Sequence, residues 1–289
     1  MIIVNLKGGI GNQMFQYALG RKLSLKNNDE LKLETAGLAR ANEVGDIYRP
    51  FSLEAFNIDK NIASAEEVQK LKYPYGIFSK GWRYFNFKIL RKKHTLFEPK
   101  VLDWKGNIFL DGYWQSPRYF EDIRDILLKE FTLAKPFSKA GAGFVAQIKN
   151  TTAVALHVRR GDYIKNPQVQ KEFGPCTLAY YKSAMAEIEK TVPSPTYFVF
   201  SDDLPWVKEN LPVGDQAVFV KGAGMTDVED LLLMSMCQHN IIANSSFSWW
   251  SAWLNQNSDK IVIAPTPWFN NGSYDKDLIP KTWIQIQKS

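Results

Sequence analysis

The sequence predicts an α/β protein with a doubly wound, Rossmann-like domain in its second half. Three observations carry this. Between residues 152 and 264, short β-branched runs alternate with helical stretches, the pattern of a parallel sheet with helices on both faces. The chain opens in the same manner, with a strand, a glycine turn and a helix. Around residues 135–143 the composition turns to Pro, Ser and Gly, which sets a boundary between domains 1–140 and 141–289. A length of 289 residues favours two domains over one.

In the first domain, residues 1–6 read as a strand and not as a signal peptide, because the apolar run is short and meets glycine at once. Gly8, Gly9 and Gly11 form the turn, where backbone N–H groups can approach a phosphate or sugar. Asn12 and Gln13 follow, and Met14, Tyr17, Ala18 and Leu25 mark the apolar positions of a helix. Met14 stands where the dinucleotide fingerprint has its third glycine, so the turn is weak support for NAD. A tight βα turn without a ligand is the alternative. Residues 46–51 read as loop and 65–71 as a short helix. Residues 77–94 interleave Trp82, Tyr84, Phe85 and Phe87 with Lys80, Arg83, Lys88, Arg91, Lys92 and Lys93. Such a mix suits a membrane interface or an aromatic core segment with a solvated basic end. A strand is expected over 107–116, then a helix from Pro117 through Ile123, Ile126, Leu127 and Phe131.

The second domain is clearer. Its central strand, 152–156, runs into His157-Val158-Arg159-Arg160-Gly161-Asp162-Tyr163. A helix over 177–189 precedes the strand 196–200, then Ser201-Asp202-Asp203 and a helix through Trp206 and Leu211. After a strand at 217–220, Thr226 and Glu229 have the spacing of a capping box for a helix reaching Cys237. The strand 240–243 leads to Asn244-Ser245-Ser246-Phe247-Ser248 and a Trp-rich helix, and 260–264 is the expected last strand. Trp249 and Trp253 share a helical face and read as core, with Trp250. His239 reads as structural.

Ligands of open α/β sheets bind at the carboxyl ends of the strands, and three of those ends carry polar residues. The guanidiniums of Arg159 and Arg160 suit phosphate oxygens, or form an exposed basic turn paired with carboxylates. Asp202 and Asp203 suit ribose hydroxyls or the N1–H and N2–H₂ of guanine, or cap a helix. Ser245 and Ser246 sit where helix amides and dipole attract a phosphate, or cap in turn. Together at one edge, the three point to a nucleoside diphosphate site. The adjacent arginines lead to the expectation of no metal. No G-x-S-x-G elbow supports a serine hydrolase.

Composition narrows the classes. With 45% hydrophobic and 23% charged residues the chain is neither disordered nor fibrous. No apolar run reaches the ~18 residues of a membrane span. Two cysteines, Cys176 and Cys237, form neither a disulfide framework nor a zinc pattern, which favours a reducing, cytoplasmic setting. The net charge of +6 suggests an acidic partner. No helix-turn-helix, zinc or RNA-recognition signature supports nucleic acid, leaving a phosphate-bearing ligand or an anionic membrane surface.

The stretches GGIGNQMFQYALGR (8–21), LDGYWQSPRYF (110–120), HVRRGDY (157–163), FSDD (200–203) and NSSFSWWSAWLN (244–255) together resemble the bacterial α-1,2-fucosyltransferases, which use GDP-fucose. The HxRRxD element is shared with α-1,6- and protein O-fucosyltransferases and marks the donor. The GGxGNQ and NSSFSWW elements resemble the α-1,2 group. The resemblance implies a GT-B-type fold, two Rossmann-like domains facing across a cleft, and an inverting transfer without metal or other cofactor. GDP-fucose would be the donor. The acceptor would be a β-galactoside, free or on a lipid-linked glycan, with peripheral contact at the inner face of the cytoplasmic membrane as a corollary. In roles carried over, Arg159 would hold the β-phosphate and His157 would lie by the nucleotide. Asp202 or Asp203 would read guanine or ribose, and Ser245 and Ser246 would touch the diphosphate. Asn12 and Gln13 would close the cleft. Gly9, Gly11, Arg160, Asn244 and Phe247 complete the substrate-binding set. Asp162 is the first candidate for the base at the acceptor hydroxyl, and Asp111 the second.

Overall fold

The computed structural model describes residues 1–40, 49–74, 76, 79, 81, 97–270 and 275–289. The chain divides into two units, Met1–Ala134 and Lys135–Ser289. The basic aromatic stretch 82–94 and residues 46–48 of the expected loop lie outside the described residues. Among those described, no helix is long and apolar enough to cross a membrane.

In the first unit, β1 (Ile2–Asn5) lies between β2 (Leu31–Glu34) and β3 (Ile108–Leu110) in a parallel sheet. The helix α1 (Ile10–Asn27) starts from Gly9 and ends at Asn28, whose left-handed φ of 53° lets its N–H reach the Ser24 carbonyl. A Cβ on Gly20 would run into Val4, so this glycine sets how closely α1 lies on β1. Leu25, expected inside, is 40% exposed. Further along are α2 (Ala36–Arg40), α3 (Ala65–Lys72), which Ser64 and Glu67 cap reciprocally, and α4 (Arg124–Glu130). The strand expected over 107–116 stops at Leu110. Trp114 takes a left-handed φ of 53°, which no strand tolerates. Pro117–Tyr119 and Glu121–Ile123 form 3₁₀ turns ahead of α4.

The second unit contains α5 (Lys139–Lys149), β4 (Ala153–Val158), α6 (Gly161–Lys165), α7 (Pro167–Glu172), α8 (Leu178–Glu189), β5 (Thr196–Ser201), α9 (Leu204–Asn210), β6 (Val218–Phe219), α10 (Asp227–Met236), β7 (His239–Ile241), α11 (Ser246–Leu254), β8 (Val262–Thr266) and β9 (Ile284–Gln287). The strands pair in parallel in the order β6-β5-β4-β7-β8-β9. Numbered from the unit's first strand this is 3-2-1-4-5-6, the Rossmann order, and its direction reverses between β4 and β7. Side chains of β4 alternate between two cores. Val154, Leu156 and Val158 pack with Tyr180, Ala184 and Ile188 of α8. Ala153 and Ala155 pack on the other face with Ile148 of α5 and Leu233 of α10. Each large side chain so buried stabilises by roughly 1.5–3 kcal/mol, and the two faces explain why β4 is apolar throughout.

The division falls after Ala134, ahead of the expected boundary at residue 140. Gly141, Ala142 and Gly143 belong to α5, because Ser138 caps it by accepting the Gly141 N–H at 3.0 Å. Glu229 of α10 accepts the Ser138 N–H and joins the two helices. The last strand is β9, not 260–264. The capping box of α10 is present as expected. Trp249, Trp250 and Trp253 are buried, and the Nδ1 of His239 accepts the Ile261 N–H at 3.0 Å, a structural role.

Candidate active site

The reversal in strand order gathers the loops after β4 and β7, with the loop after β5 beside them. Asp202, just past β5, accepts the N–H groups of Arg160 at 2.9 Å and Gly161 at 3.0 Å. A Cβ on Gly161 would lie 2.6 Å from Asp202 Oδ2, so glycine is what allows this grip. The same carboxylate pairs with Arg159 at 3.0 Å, and Arg159 also pairs with Asp162 at 2.7 Å. Arg160 points elsewhere: its Nε meets Asp203 at 3.0 Å, and its guanidinium lies 3.7 Å from the centre of the Trp206 ring. Asp203 caps α9 by accepting the Trp206 N–H.

Asp202 and Asp203 thus both hold the turn. Helix capping holds for Asp203, and arginines paired with carboxylates hold for the turn. Asp162 is paired with Arg159 at 2.7 Å, a placement that suits orienting the guanidinium.

His157 lies near the end of β4, 6% exposed, its ring 5.5 Å from that of Phe247. Burial, with the Arg159 charge adding to it, pushes the imidazole down to about 3, so it is neutral at ordinary pH. Its Nδ1 has no hydrogen-bond partner among the described residues. Buried polar atoms normally find partners, and one without calls for an explanation such as a ligand. Beside it begins α11, nine residues long, whose cap residue Ser245 makes no side-chain cap bond. Ser138, Thr177, Asp203 and Thr226 all cap their helices through side chains. The first turn of α11 therefore presents backbone donors and the positive end of its dipole, with Ser245, Ser246 and Phe247 half-buried around it. Asn244 is not part of this surface. It is buried, and its Nδ2 serves the carbonyls of Phe173, Gly174 and Trp268 at 2.9–3.1 Å. It is a strut for the loop after α7.

In the first unit, Gly9 is the cap of α1 and Gly11 lies buried in its first turn. Gln13 is fully buried. Its amide donates to the carbonyls of Gly8 and Pro50 at 2.9 Å and accepts the Ser52 N–H at 3.1 Å. It braces the turn and does not face a ligand. Asn12 accepts from Gln115 Nε2 at 2.7 Å. Sequence reading passed over Asn5 and Lys7, each 3.0 Å from Asp111 Oδ1. The signal was the register: Val4 pairs with Leu110, so the residues that follow each strand meet at the sheet edge.

Two α/β units with parallel sheets, the second carrying arginines and an open helix N-terminus at its switch point, offer an edge suited to a phosphate-bearing ligand. The chain belongs to glycosyl transferase family 11, which it matches over residues 1–287. It is 33% identical over 302 residues to an α-1,2-colitosyltransferase of Escherichia coli, covering 100% of this chain and 99% of that one. To the galactoside 2-α-L-fucosyltransferase Sec1 of Mus musculus it is 25% identical over 272 residues, 91% of this chain and 67% of the other. The fold is similar to that of the fucosyltransferase NodZ from Bradyrhizobium, with a TM-score of 0.53 at 14% identity, covering 86% of this chain and 91% of that one.

Proposed function

We propose that this protein transfers L-fucose from GDP-β-L-fucose to the 2-hydroxyl of a terminal galactose, inverting the anomeric centre to give an α-1,2 linkage. The observation that carries the reading is the juxtaposition of His157, with its buried unpartnered Nδ1, and the uncapped start of α11, in a chain of family 11. A diphosphate laid across this edge takes the amides of α11 as donors. Arg159, 28% exposed in its side chain, supplies the cation. As the glycosidic bond breaks, charge builds on the leaving phosphate, and these groups are already in place to stabilise it. Neutral His157 contributes a hydrogen bond without adding charge. The acceptor proton leaves late, to the departing diphosphate or to water, and Asp162 acts by orienting Arg159. Asp202 and Asp203 are tied to Arg159 and Arg160, which supports a reaction that proceeds without a divalent cation.

The colitosyltransferase relative favours a second reading, in which the donor sugar lacks the 3-hydroxyl. Comparing kcat/KM for GDP-L-fucose and its 3-deoxy analogue, with lactose as acceptor, separates the two. A site built to hydrogen-bond the 3-hydroxyl rejects the deoxy sugar strongly. Preference for the deoxy donor makes the protein a 3-deoxy-fucosyl transferase, and no turnover of either donor removes the proposal.

A further inference from the structure

We infer that Tyr163 is a positioning residue for the proposed transfer, its hydroxyl and ring fixing the Arg159 guanidinium against the start of α11. The inference rests on the transferase reading above and names what holds the two halves of the diphosphate site together.

Those halves come from different strands, since Arg159 follows β4 and α11 follows β7. The carboxylates of Asp162 and Asp202 hold Arg159. Asp202 follows β5, however, and β5 and β7 flank β4 on opposite sides. Tyr163, in α6, reaches the other way. Its hydroxyl donates to the Asn244 carbonyl at 2.8 Å, and Asn244 directly precedes Ser245, the cap residue of α11. Its ring centre lies 5.8 Å from the Arg159 guanidinium, within reach of a cation–π attraction. One side chain thus touches both halves.

The contact is braced on both sides. Asn244 Nδ2 donates to the Phe173 carbonyl at 3.0 Å, and the Phe173 ring packs against that of Tyr163 with centroids 5.5 Å apart. Tyr163, Asn244 and Phe173 therefore close a circuit. Buried Lys288 donates to the same Phe173 carbonyl through Nζ. Burial raises the Tyr163 phenol far above its ordinary range, so the hydroxyl stays a donor at working pH. Tyr180 supplies the contrast. It is also buried, and its hydroxyl donates to the Ile242 carbonyl at 2.6 Å, in the same segment as Asn244. Its ring packs edge-on with Tyr181 in the core between β4 and α8.

Loosening Arg159 should be felt where phosphate charge is greatest. GDP carries on its terminal phosphate the charge that the sugar ester lacks. GDP binding and kcat therefore depend on this placement more than the donor KM does.

The test compares Tyr163→Phe with Tyr180→Phe in the full chain. It reads kcat and donor KM with GDP-fucose and lactose, and GDP affinity by calorimetry. Each variant takes one buried hydroxyl from a carbonyl, so their Tm values should fall alike. Tyr163→Phe should lower kcat and weaken GDP about tenfold while the donor KM stays within about threefold, as expected of a misplaced charge-stabilising group. Tyr180→Phe should leave all three within about twofold. In an Arg159→Ala background, Tyr163→Phe should lower kcat by less than about twofold more, because it acts through that guanidinium. If Tyr163→Phe does not fold, Phe173→Leu, which removes the ring beside Tyr163, carries the same expectations. Equal effects in the two tyrosine variants overturn the inference. So does an unchanged kcat and GDP affinity in Tyr163→Phe, or an undiminished loss without Arg159. A parent that binds GDP and transfers nothing removes the transferase reading. GDP affinity then decides the placement, which a loss in Tyr163→Phe alone upholds and equal binding overturns.

Discussion

Replacing Arg159 by alanine removes one guanidinium and two ion pairs, at 2.7 Å to Asp162 and 3.0 Å to Asp202. The three side chains are 19–28% exposed, so their pairing is worth more than a surface pair and less than a fully buried one. A loss of about 1–2 kcal/mol follows, or roughly 2–8 °C in Tm for a unit of this size. Asp202 keeps its two backbone partners, so the turn survives. The catalytic loss is larger: a preorganised donor at a developing charge is worth about 10²–10³ in kcat. Arg159→Lys should fail almost as badly, since an ammonium does not reproduce the planar fork. Arg160→Ala removes the Asp203 pair and the stack on Trp206, which should lower Tm by a similar amount while kcat falls less than about tenfold. Saturating kcat with GDP-fucose and thermal melts on the same preparations decide the matter. A folded Arg159→Ala enzyme within tenfold of the parent refutes the assignment. A folded, inactive Arg160→Ala enzyme shows that the other arginine meets the phosphate.

Three further expectations follow from the same contacts. His157 is held near 3 by burial and Arg159, against ~6.5 when unfolded. The unfolded chain takes up the proton first, so this group's contribution is full above pH 6.5 and shrinks by up to ~1.4 kcal/mol per pH unit as pH falls toward 3. In urea melts, the advantage of the parent over His157→Gln should shrink from pH 7 to pH 4, and a constant difference contradicts the burial argument. Gly161→Ala places a Cβ 2.6 Å from Asp202 Oδ2 and should cost about 1–3 kcal/mol through the displaced carboxylate. The cost should nearly vanish in an Asp202→Ala background, and equal losses in both backgrounds point to another cause. Burial, with Asp227 and Glu229 nearby, raises Asp230 to about 7. Folding therefore disfavours its charged form, and the penalty builds as pH rises from about 4 and is complete above about 7. Asp230→Asn should stabilise by ~1–3 kcal/mol at pH 8 and by little at pH 4, and no gain in Tm at pH 8 refutes this.

Local signals in the sequence carried much of the second unit. The β-branched run of β4 and the Thr226–Glu229 box are each complete within a few residues, and both stand as read. The different directions of Arg159 and Arg160 were also legible, because neighbours on an extended chain point opposite ways. Elements defined by distant partners were not. β9 is four residues of alternating Ile and Gln, and it becomes a strand through pairing with β8. Gln13 and Asn244 expose a deeper limit. A buried amide that satisfies backbone carbonyls is the same residue type as one that reads a ligand, and the direction of the side chain separates them. The grip of Asp202 on the turn was hidden for the same reason, its partners being amides 41 and 42 positions earlier in the chain. Trp114 hid the end of β3, since its aromatic side chain favours a strand and its backbone refuses one.

The central claim is that the edge shared by β4 and β7 holds the diphosphate of a fucosyl donor and directs an α-1,2 transfer. Incubating the protein with GDP-fucose and lactose in EDTA, then reading the product by NMR, tests it most directly. The account predicts stoichiometric GDP and a trisaccharide with fucose α-linked to the galactose 2-hydroxyl. Intact GDP-fucose, a β or non-1,2 linkage, or a product that forms only after Mn²⁺ is restored would contradict it.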